Sequence, residues 1–111
     1  MRWLRIDCTV LLDCRDFTDA DAWSAFDAAG TSGLPASGYD GAVFDGRYIY
    51  FIPFWEGDDP GFGFHGNVLR YDTQGEFNDT SNWRAVDAGK TSGLNTVGFN
   101  GGTFDGRFIY M

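Results

Sequence analysis

Residues 44–50 read Phe-Asp-Gly-Arg-Tyr-Ile-Tyr, and residues 104–110 repeat them as Phe-Asp-Gly-Arg-Phe-Ile-Tyr. The similarity extends outward from this stretch without a gap. Residues 17–51 align with residues 77–111, and 18 of the 35 aligned pairs are identical. Because chance does not produce such an alignment, the chain contains an internal repeat with a period of 60 residues.

The repeated stretch predicts a β-hairpin, because Asp45-Gly46 lies between two segments rich in aromatic residues. A two-residue turn of this kind places both of its residues at positive φ. The segment after the turn carries apolar side chains on both faces of a strand, so both faces must be covered. Four strands are expected in the repeat: A over 41–44, B over 48–54, C over 67–72 and D over 83–88.

Four strands in this order predict an all-β fold made of four-stranded antiparallel meanders, stacked as the blades of a β-propeller. The strand order resembles that of kelch-like propellers, and the phrase FDGRYIYFIP at residues 44–53 is typical of bacterial propeller-like repeats. The resemblance covers residues 9–111, lacks the paired glycines of kelch blades and the Trp-Asp ending of WD blades, and points to no named functional family. A β-sandwich of two repeated sheets is the alternative architecture.

The sequence predicts one repeat domain over residues 1–111, in which the blades are divided unevenly. Residues 41–88 supply a whole blade, with all four strands. Residues 98–111 supply strands A and B of a following blade, and residues 1–30 supply strands C and D of a preceding one. The chain therefore contains one whole blade between two half blades.

The two strands of the first half blade are assigned by comparison with the whole blade. Val10-Leu11-Leu12-Asp13 resembles Leu69-Arg70-Tyr71-Asp72 and predicts strand C. Residues 23–28 predict strand D, since they align with residues 83–88 of the second repeat. Residues 2–8 are then expected to lengthen the first strand or to add another.

Two half blades at opposite sides of a whole blade cannot complete each other within one chain. Each would expose an apolar sheet and a bare strand edge. Head-to-tail association of identical chains completes both halves and closes a ring when the rotation permits. Propellers have about four to eight blades, so two, three or four chains are possible, and three chains with six blades are our expectation. A fragment of a longer propeller is the alternative.

Composition limits the partners and the compartment. The chain carries 16 acidic and 8 basic residues, a net charge of −8, which disfavours nucleic acid and anionic membranes as partners. The sequence shows neither a signal peptide nor an apolar stretch of the roughly 20 residues that a membrane span needs. Cys8 and Cys14 lie too far apart on an extended strand for a disulfide, so they are expected to be free thiols. Free thiols favour a cytoplasmic location.

The loop between strands B and C, residues 55–66, is the candidate ligand site. It combines an aromatic ring with carboxylates and the single histidine: Trp55, Glu56, Asp58, Asp59 and His65. A ring stacks on the apolar face of a sugar and carboxylates accept bonds from its hydroxyls, so the loop fits a carbohydrate or another small polar ligand. A turn-rich connection without a ligand is the competing interpretation. Asp58-Asp59-Pro60 lacks the spaced oxygen ligands of a calcium loop.

The remaining motifs are interpreted as structural. Asp45-Gly46-Arg47 recurs in both repeats, and fold constraints recur in every blade whereas sites usually do not. We expect Arg47 and Arg107 to pair with nearby aspartates or carbonyls. Asp27 and Asp87 are expected to accept backbone N–H bonds in the Thr-Ser-Gly-Leu loop at residues 31–34 and 91–94. Gly89-Lys90-Thr91 lacks the preceding glycine of a phosphate-binding loop.

These observations favour a binding module over an enzyme. The sequence has one histidine, no nucleophile motif and no metal cluster, so neither a catalytic residue, a metal nor another cofactor is predicted. An interaction scaffold without a ligand is the first alternative. A glycosidase with a pair of aspartates from different blades is the enzymatic alternative.

Overall fold

A computed structural model describes residues 2–7, 15–57 and 63–111 of the chain. Within these residues the fold is all-β, and the helical segments are single 3-10 turns of three or four residues. The strands are β1 (Arg2–Ile6), β2 (Trp23–Asp27), β3 (Tyr39–Phe44), β4 (Tyr48–Pro53), β5 (Asn67–Asp72), β6 (Trp83–Asp87), β7 (Thr103–Phe104) and β8 (Ile109–Tyr110). No helix in the described part of the chain is long and apolar enough to cross a membrane.

The strands form three antiparallel sheets, which we number in chain order. Sheet I contains β1 and β2, sheet II contains β3, β4, β5 and β6, and sheet III contains β7 and β8. In sheet II the spatial order of the strands is their order in the sequence. This confirms the predicted four-stranded meander, with strand bounds within two residues of those expected.

The turn between β3 and β4 differs from the predicted two-residue turn. Gly46 has a φ of +103°, whereas Asp45 has a negative φ, so only one of the two residues is left-handed. Asp45 instead closes a three-residue loop with its side chain. Its Oδ1 accepts hydrogen bonds from the backbone N–H of Arg47 at 2.9 Å and of Tyr48 at 2.7 Å. A carboxylate acceptor thus takes the place of a second left-handed residue.

Sheet I shows which strand pairs with β2. β2 pairs along its whole length with Arg2–Ile6, from Arg2 opposite Asp27 to Ile6 opposite Trp23. The predicted strand at Val10–Asp13 lies outside the described residues, as do Cys8 and Cys14. The register aligns Leu4-Arg5-Ile6-Asp7 with Leu69-Arg70-Tyr71-Asp72 of β5, since both segments face the equivalent strand. The connection that follows β1 is therefore five residues longer than the one that follows β5.

The core lies between sheet I and one face of sheet II. This face carries Phe51, Leu69, Tyr71 and Trp83, all buried. Sheet I covers it with two aromatic side chains. Trp3 lies 4.0 Å from Phe51 between ring centroids, and Phe26 is stacked on Trp83 at 4.7 Å. Because aromatic pairs of this kind contribute beyond their buried area, the two sheets are held in a defined register.

Sheet III lies over the opposite face of sheet II, near β3 and β4. A Cβ on Gly102 would lie 3.0 Å from Ile52 Cδ1 and 3.1 Å from Val43 Cγ2. The absence of a side chain at Gly102 therefore permits the close approach of the two sheets. Sheet II is thus flanked on both faces, as its apolar side chains require.

The aspartates that end β2 and β6 act alike in the two copies of the repeat. Asp27 Oδ1 accepts from Ala29 N–H at 3.0 Å, and Asp87 Oδ1 accepts from Gly89 N–H at 2.8 Å. Both accept backbone N–H bonds as expected, but these donors lie two residues before the Thr-Ser-Gly-Leu loop.

The two repeated arginines differ. Arg47 forms the expected pair with an aspartate, a bidentate ion pair with Asp72 with nitrogen–oxygen distances of 3.1 and 2.8 Å. Among the described residues Arg107 has no such ion pair, and its guanidinium lies 4.8 Å from the centroid of the Phe108 ring.

Candidate binding cleft

Backbone hydrogen bonds hold together the two ends of the loop between β4 and β5, which we call its neck. Glu56 N–H donates to the carbonyl of Gly63 at 2.9 Å, and His65 N–H donates to the carbonyl of Phe54 at 3.2 Å. Trp55 and Phe64 form a β-bridge between these two bonds. The bonds extend the β4–β5 hairpin and fix the direction of the side chains at positions 55, 56, 64 and 65.

Gly38 anchors the same neck from the connection before β3. Its carbonyl accepts the backbone N–H of Phe54 at 2.9 Å and of Trp55 at 3.1 Å. It has a φ of +70°, and a Cβ at this position would lie 2.0 Å from the carbonyl oxygen of Trp55. Only glycine combines this conformation with this approach, so Gly38 sets the position of the loop.

His65 is a structural member of the site. The side chain is buried, and its Nε2 lies 3.0 Å from the carbonyl oxygen of Gly38. Its Nδ1 accepts the backbone N–H of Asn67 at 3.2 Å. A nitrogen that accepts this bond carries no proton, so the ring is the neutral tautomer with its hydrogen on Nε2. His65 therefore links the segment that precedes β3 to the start of β5.

Glu56 is the least satisfied group of the site. Its side chain is 6% exposed, and its Oε1 has no hydrogen-bond partner within the described residues. Oε1 lies 3.8 Å from His65 Nδ1, but both atoms are acceptors in the tautomer described above. A buried carboxylate oxygen without a donor is costly, which marks Glu56 as a group suited to a ligand donor.

Tyr39 lies beside this carboxylate. Its ring packs edge-on against His65 with centroids 5.5 Å apart, and its buried hydroxyl likewise has no partner in the described part of the chain. Burial, and secondarily the charge of Glu56, raises the pKa of the Tyr39 hydroxyl far above its ordinary value. The hydroxyl therefore stays protonated and is a second buried polar group without a hydrogen-bond partner in the described part of the chain.

Glu56 and His65 line an open cleft of about 400 Å³. Its polar lining combines Glu56 and Asn67 with Asp87 at the end of β6, and with Lys90 and Asn95 from the connection that follows β6. Phe64, largely exposed, forms an apolar wall. The cleft thus offers acceptors, donors and one aromatic ring to a small ligand.

Of the five predicted site residues, the structure brings Glu56 and His65 together in the cleft lining. Trp55 is 37% exposed and packs edge-on against Phe64, with ring centroids 4.7 Å apart, so it lies at the aromatic wall rather than in the lining. Asp58 and Asp59 lie outside the described residues. Within the described residues, no group of three or more histidine, cysteine, aspartate or glutamate side chains could hold a metal ion.

Sequence reasoning missed the contribution of the connection after β6. The repeat alignment places Lys90 opposite Gly30 and Asn95 opposite Pro35. The second copy therefore has polar, donor-bearing side chains where the first has residues that form turns. Differences between two otherwise similar copies are the signal that could have found them, since the fold imposes the shared positions.

Comparisons of the chain with protein-family models, with curated proteins and with solved structures found no match.

Proposed function

We propose that the chain is a propeller-like repeat module, bacterial and kelch-like in strand order, which binds a small polyhydroxylated ligand, a carbohydrate, in the cleft beside Glu56. The observations that support the architecture are a four-stranded meander with apolar side chains on both faces and a neighbouring sheet packed on each face. Blades of a propeller are covered in this way.

The observation that carries the ligand proposal is the carboxylate of Glu56, which lines the open cleft and whose Oε1 has no hydrogen-bond partner within the described residues. A sugar hydroxyl would donate to this carboxylate. Other hydroxyls of the same ligand would accept from Lys90 and Asn95, whose side chains are donors. The rings of Phe64 and Trp55 would pack on the apolar face of the sugar. The lining contains both signs of charge, which suits a neutral ligand better than a strongly charged one.

The second candidate function is an interaction scaffold without a small ligand. Large apolar side chains exposed on the described residues favour it, Leu4, Val86 and Leu94 among them. The two functions differ in what the cleft must do, because a scaffold leaves Glu56 without a role in binding.

The test is a panel of immobilised oligosaccharides, followed by calorimetric titration of the best glycan. Glu56→Gln removes the charge and keeps one acceptor oxygen, and it is expected to weaken binding about 5- to 10-fold, the difference between a charge-assisted and a neutral hydrogen bond. Glu76→Gln is the matched control, because Glu76 is exposed and distant from the cleft lining. Equal affinity in both variants, or a panel without any bound glycan, would contradict the proposal.

A further inference from the structure

Two apolar surfaces of the described residues remain exposed. The outward face of sheet I carries Leu4 and Trp23, which are 71% and 41% exposed. The outer half of sheet II forms a groove of about 450 Å³, lined by Tyr50, Val68, Arg70, Arg84 and Val86 among others. We infer that these surfaces bind each other between two copies of the chain, with sheet I of one copy completing sheet III of the next.

The repeat supplies the first argument. Leu4 is equivalent to Leu69, and Trp23 is equivalent to Trp83. In sheet II these positions are the centre of the core, with Leu69 0% and Trp83 2% exposed. The same residue types at the same strand positions are therefore buried in one copy of the repeat and exposed in the other. A neighbouring sheet accounts for the difference.

The second argument is that the groove lies at the strand positions equivalent to those by which sheet I covers Trp83. Phe26 of sheet I stacks on Trp83, and Val86 is the repeat equivalent of Phe26. If sheet I of a second copy packs on sheet II as sheet II packs on sheet I, the equivalent of the Phe26–Trp83 contact is a contact between Val86 of the first copy and Trp23 of the second. Val86 is largely exposed, so it is available for this contact. The two exposed faces are thus equivalent to the two faces that pack together between sheet I and sheet II within one chain.

The third argument is the strand edge. In sheet II, β4 pairs with β5 so that Ile49 faces Tyr71 and Tyr50 faces Arg70. β8 is the repeat equivalent of β4, and within the described residues it pairs only with β7. Applying the β4–β5 register to β8 pairs Ile109 with Ile6, and Tyr110 with Arg5, of the second copy. Backbone hydrogen bonds at a free strand edge are a common mode of association.

Charge and turn contacts fit the same register. Arg47 pairs with Asp72, and their equivalents Arg107 and Asp7 would meet across the interface. Ser32 Oγ accepts the backbone N–H of Ala85 at 3.0 Å. Its equivalent Ser92 has the same left-handed φ, 55° against 56°, and would accept the N–H of Ala25 from the second copy. Backbone pairing, packing and charge therefore agree on one arrangement.

This contact uses different surfaces on the two copies, so repetition generates a closed ring if the rotation permits. Each copy in the ring contributes two four-stranded sheets. One is its own sheet II, and the other combines its β7 and β8 with β1 and β2 of the neighbouring copy. Three copies would then form six sheets, within the range of about four to eight blades in propellers. The inference rests on the repeat and not on the ligand proposal.

Engineered cysteines test the register. In a background in which Cys8 and Cys14 are replaced by serine, Arg5→Cys and Tyr110→Cys are combined in one chain. Directly opposed residues on paired strands have Cβ atoms about 4.5–5.5 Å apart, close enough for oxidation to link them after small adjustments. We expect covalent oligomers on a non-reducing gel. Arg70→Cys with Tyr50→Cys is the positive control and should link within one chain.

Arg5→Cys with Ile109→Cys is the register control, because the two side chains would lie on opposite faces of the completed sheet. The inference would be overturned if the Arg70→Cys, Tyr50→Cys control forms its disulfide within one chain while the Arg5→Cys, Tyr110→Cys chain remains a monomer.

A second variant tests the contact between the two faces. Leu4→Asp places a charge on a surface that is exposed in a single copy. We expect it to weaken association at least about tenfold, with Gln74→Glu, also exposed, as the charge-matched control. Equal association of the two variants would contradict the proposed interface.

Discussion

At the scale of single residues, carboxylates replace hydrogen bonds that the turns of the chain lack. Asp45 and Asp105 each accept the backbone N–H groups of the residues two and three positions further on, and the hydroxyl of a tyrosine, Tyr50 or Tyr110. The Asp-Gly pair was sufficient to predict a turn at these positions. The type of turn could not be predicted, because the sequence does not show whether the aspartate side chain will accept the backbone N–H groups of the turn. These bonds favour a turn with one left-handed residue over a turn with two.

These bonds give the chain a defined response to acid. The bidentate Arg47 guanidinium lowers the pKa of Asp72 from its ordinary value of 3.8, and the backbone N–H groups of Arg47 and Tyr48 do the same for Asp45. A depressed folded-state pKa stabilises the fold fully above the unfolded value and loses this effect as pH falls through the folded value. We therefore expect the midpoint of thermal unfolding to fall as the pH decreases below about 4.

Variants of Arg47 and Asp72 measure how much their ion pair contributes to the loss of thermal stability at low pH. Asp72→Asn and the double variant should show the same, shallower loss of thermal stability between pH 5 and pH 2, because both remove the titrating carboxyl. Arg47→Met should lie between them and the unmodified chain, because Asp72 keeps the N–H of Gln74 and the charge of Arg70. Circular dichroism gives the midpoints. An unchanged pH dependence in Asp72→Asn would show that the pair does not contribute.

Gly38 and Gly33 form a matched pair for the loop that positions Glu56. Both have a left-handed φ, +70° and +73°, but a Cβ on Gly33 meets nothing within 4 Å whereas one on Gly38 meets the Trp55 carbonyl. Gly33→Ala should cost about 1–2 kcal/mol of unfolding free energy from backbone strain alone. Gly38→Ala should cost about 1–3 kcal/mol more from the steric clash. Denaturant unfolding measures both, and equal costs would contradict the proposed role of Gly38.

At the scale of elements, the internal repeat predicted sheet II because period-2 patterns and a turn motif agreed over the whole unit. The strand that pairs with β2 was harder to predict, because the connection after β1 is longer than its equivalent after β5. Arg2–Ile6 forms this strand, within the residues 2–8 expected to lengthen the first strand or to add another. Leu4-Arg5-Ile6-Asp7 carried the stronger match to Leu69-Arg70-Tyr71-Asp72. An allowance for an insertion would have found β1.

The candidate site was only partly predictable for a related reason. The loop that contains Glu56 and His65 was identified by its composition, since it interrupts the repeat. Tyr39, Asn67 and Lys90 belong to three other segments, and only folding brings them beside that loop. Composition also could not show that His65 is committed to backbone bonds whereas Glu56 is not.

At the scale of the whole molecule, sheet II is the only one of the three described sheets with four strands and with a sheet on each face. Sheets I and III each have two strands, and the register of sheet II shows how β8 and β1 from different copies would complete one four-stranded sheet. The exposed apolar side chains of sheet I are then core residues of an assembly. This reading makes self-association a consequence of the repeat.

The mass of the purified chain in solution tests this claim most directly. Light scattering at micromolar concentration should give a multiple of 12.3 kDa, and three copies for the ring that we propose. The control is circular dichroism of the same sample, which establishes that the chain is folded. A folded particle of 12.3 kDa would contradict the account, because the chain would then be stable with the core positions of sheet I exposed.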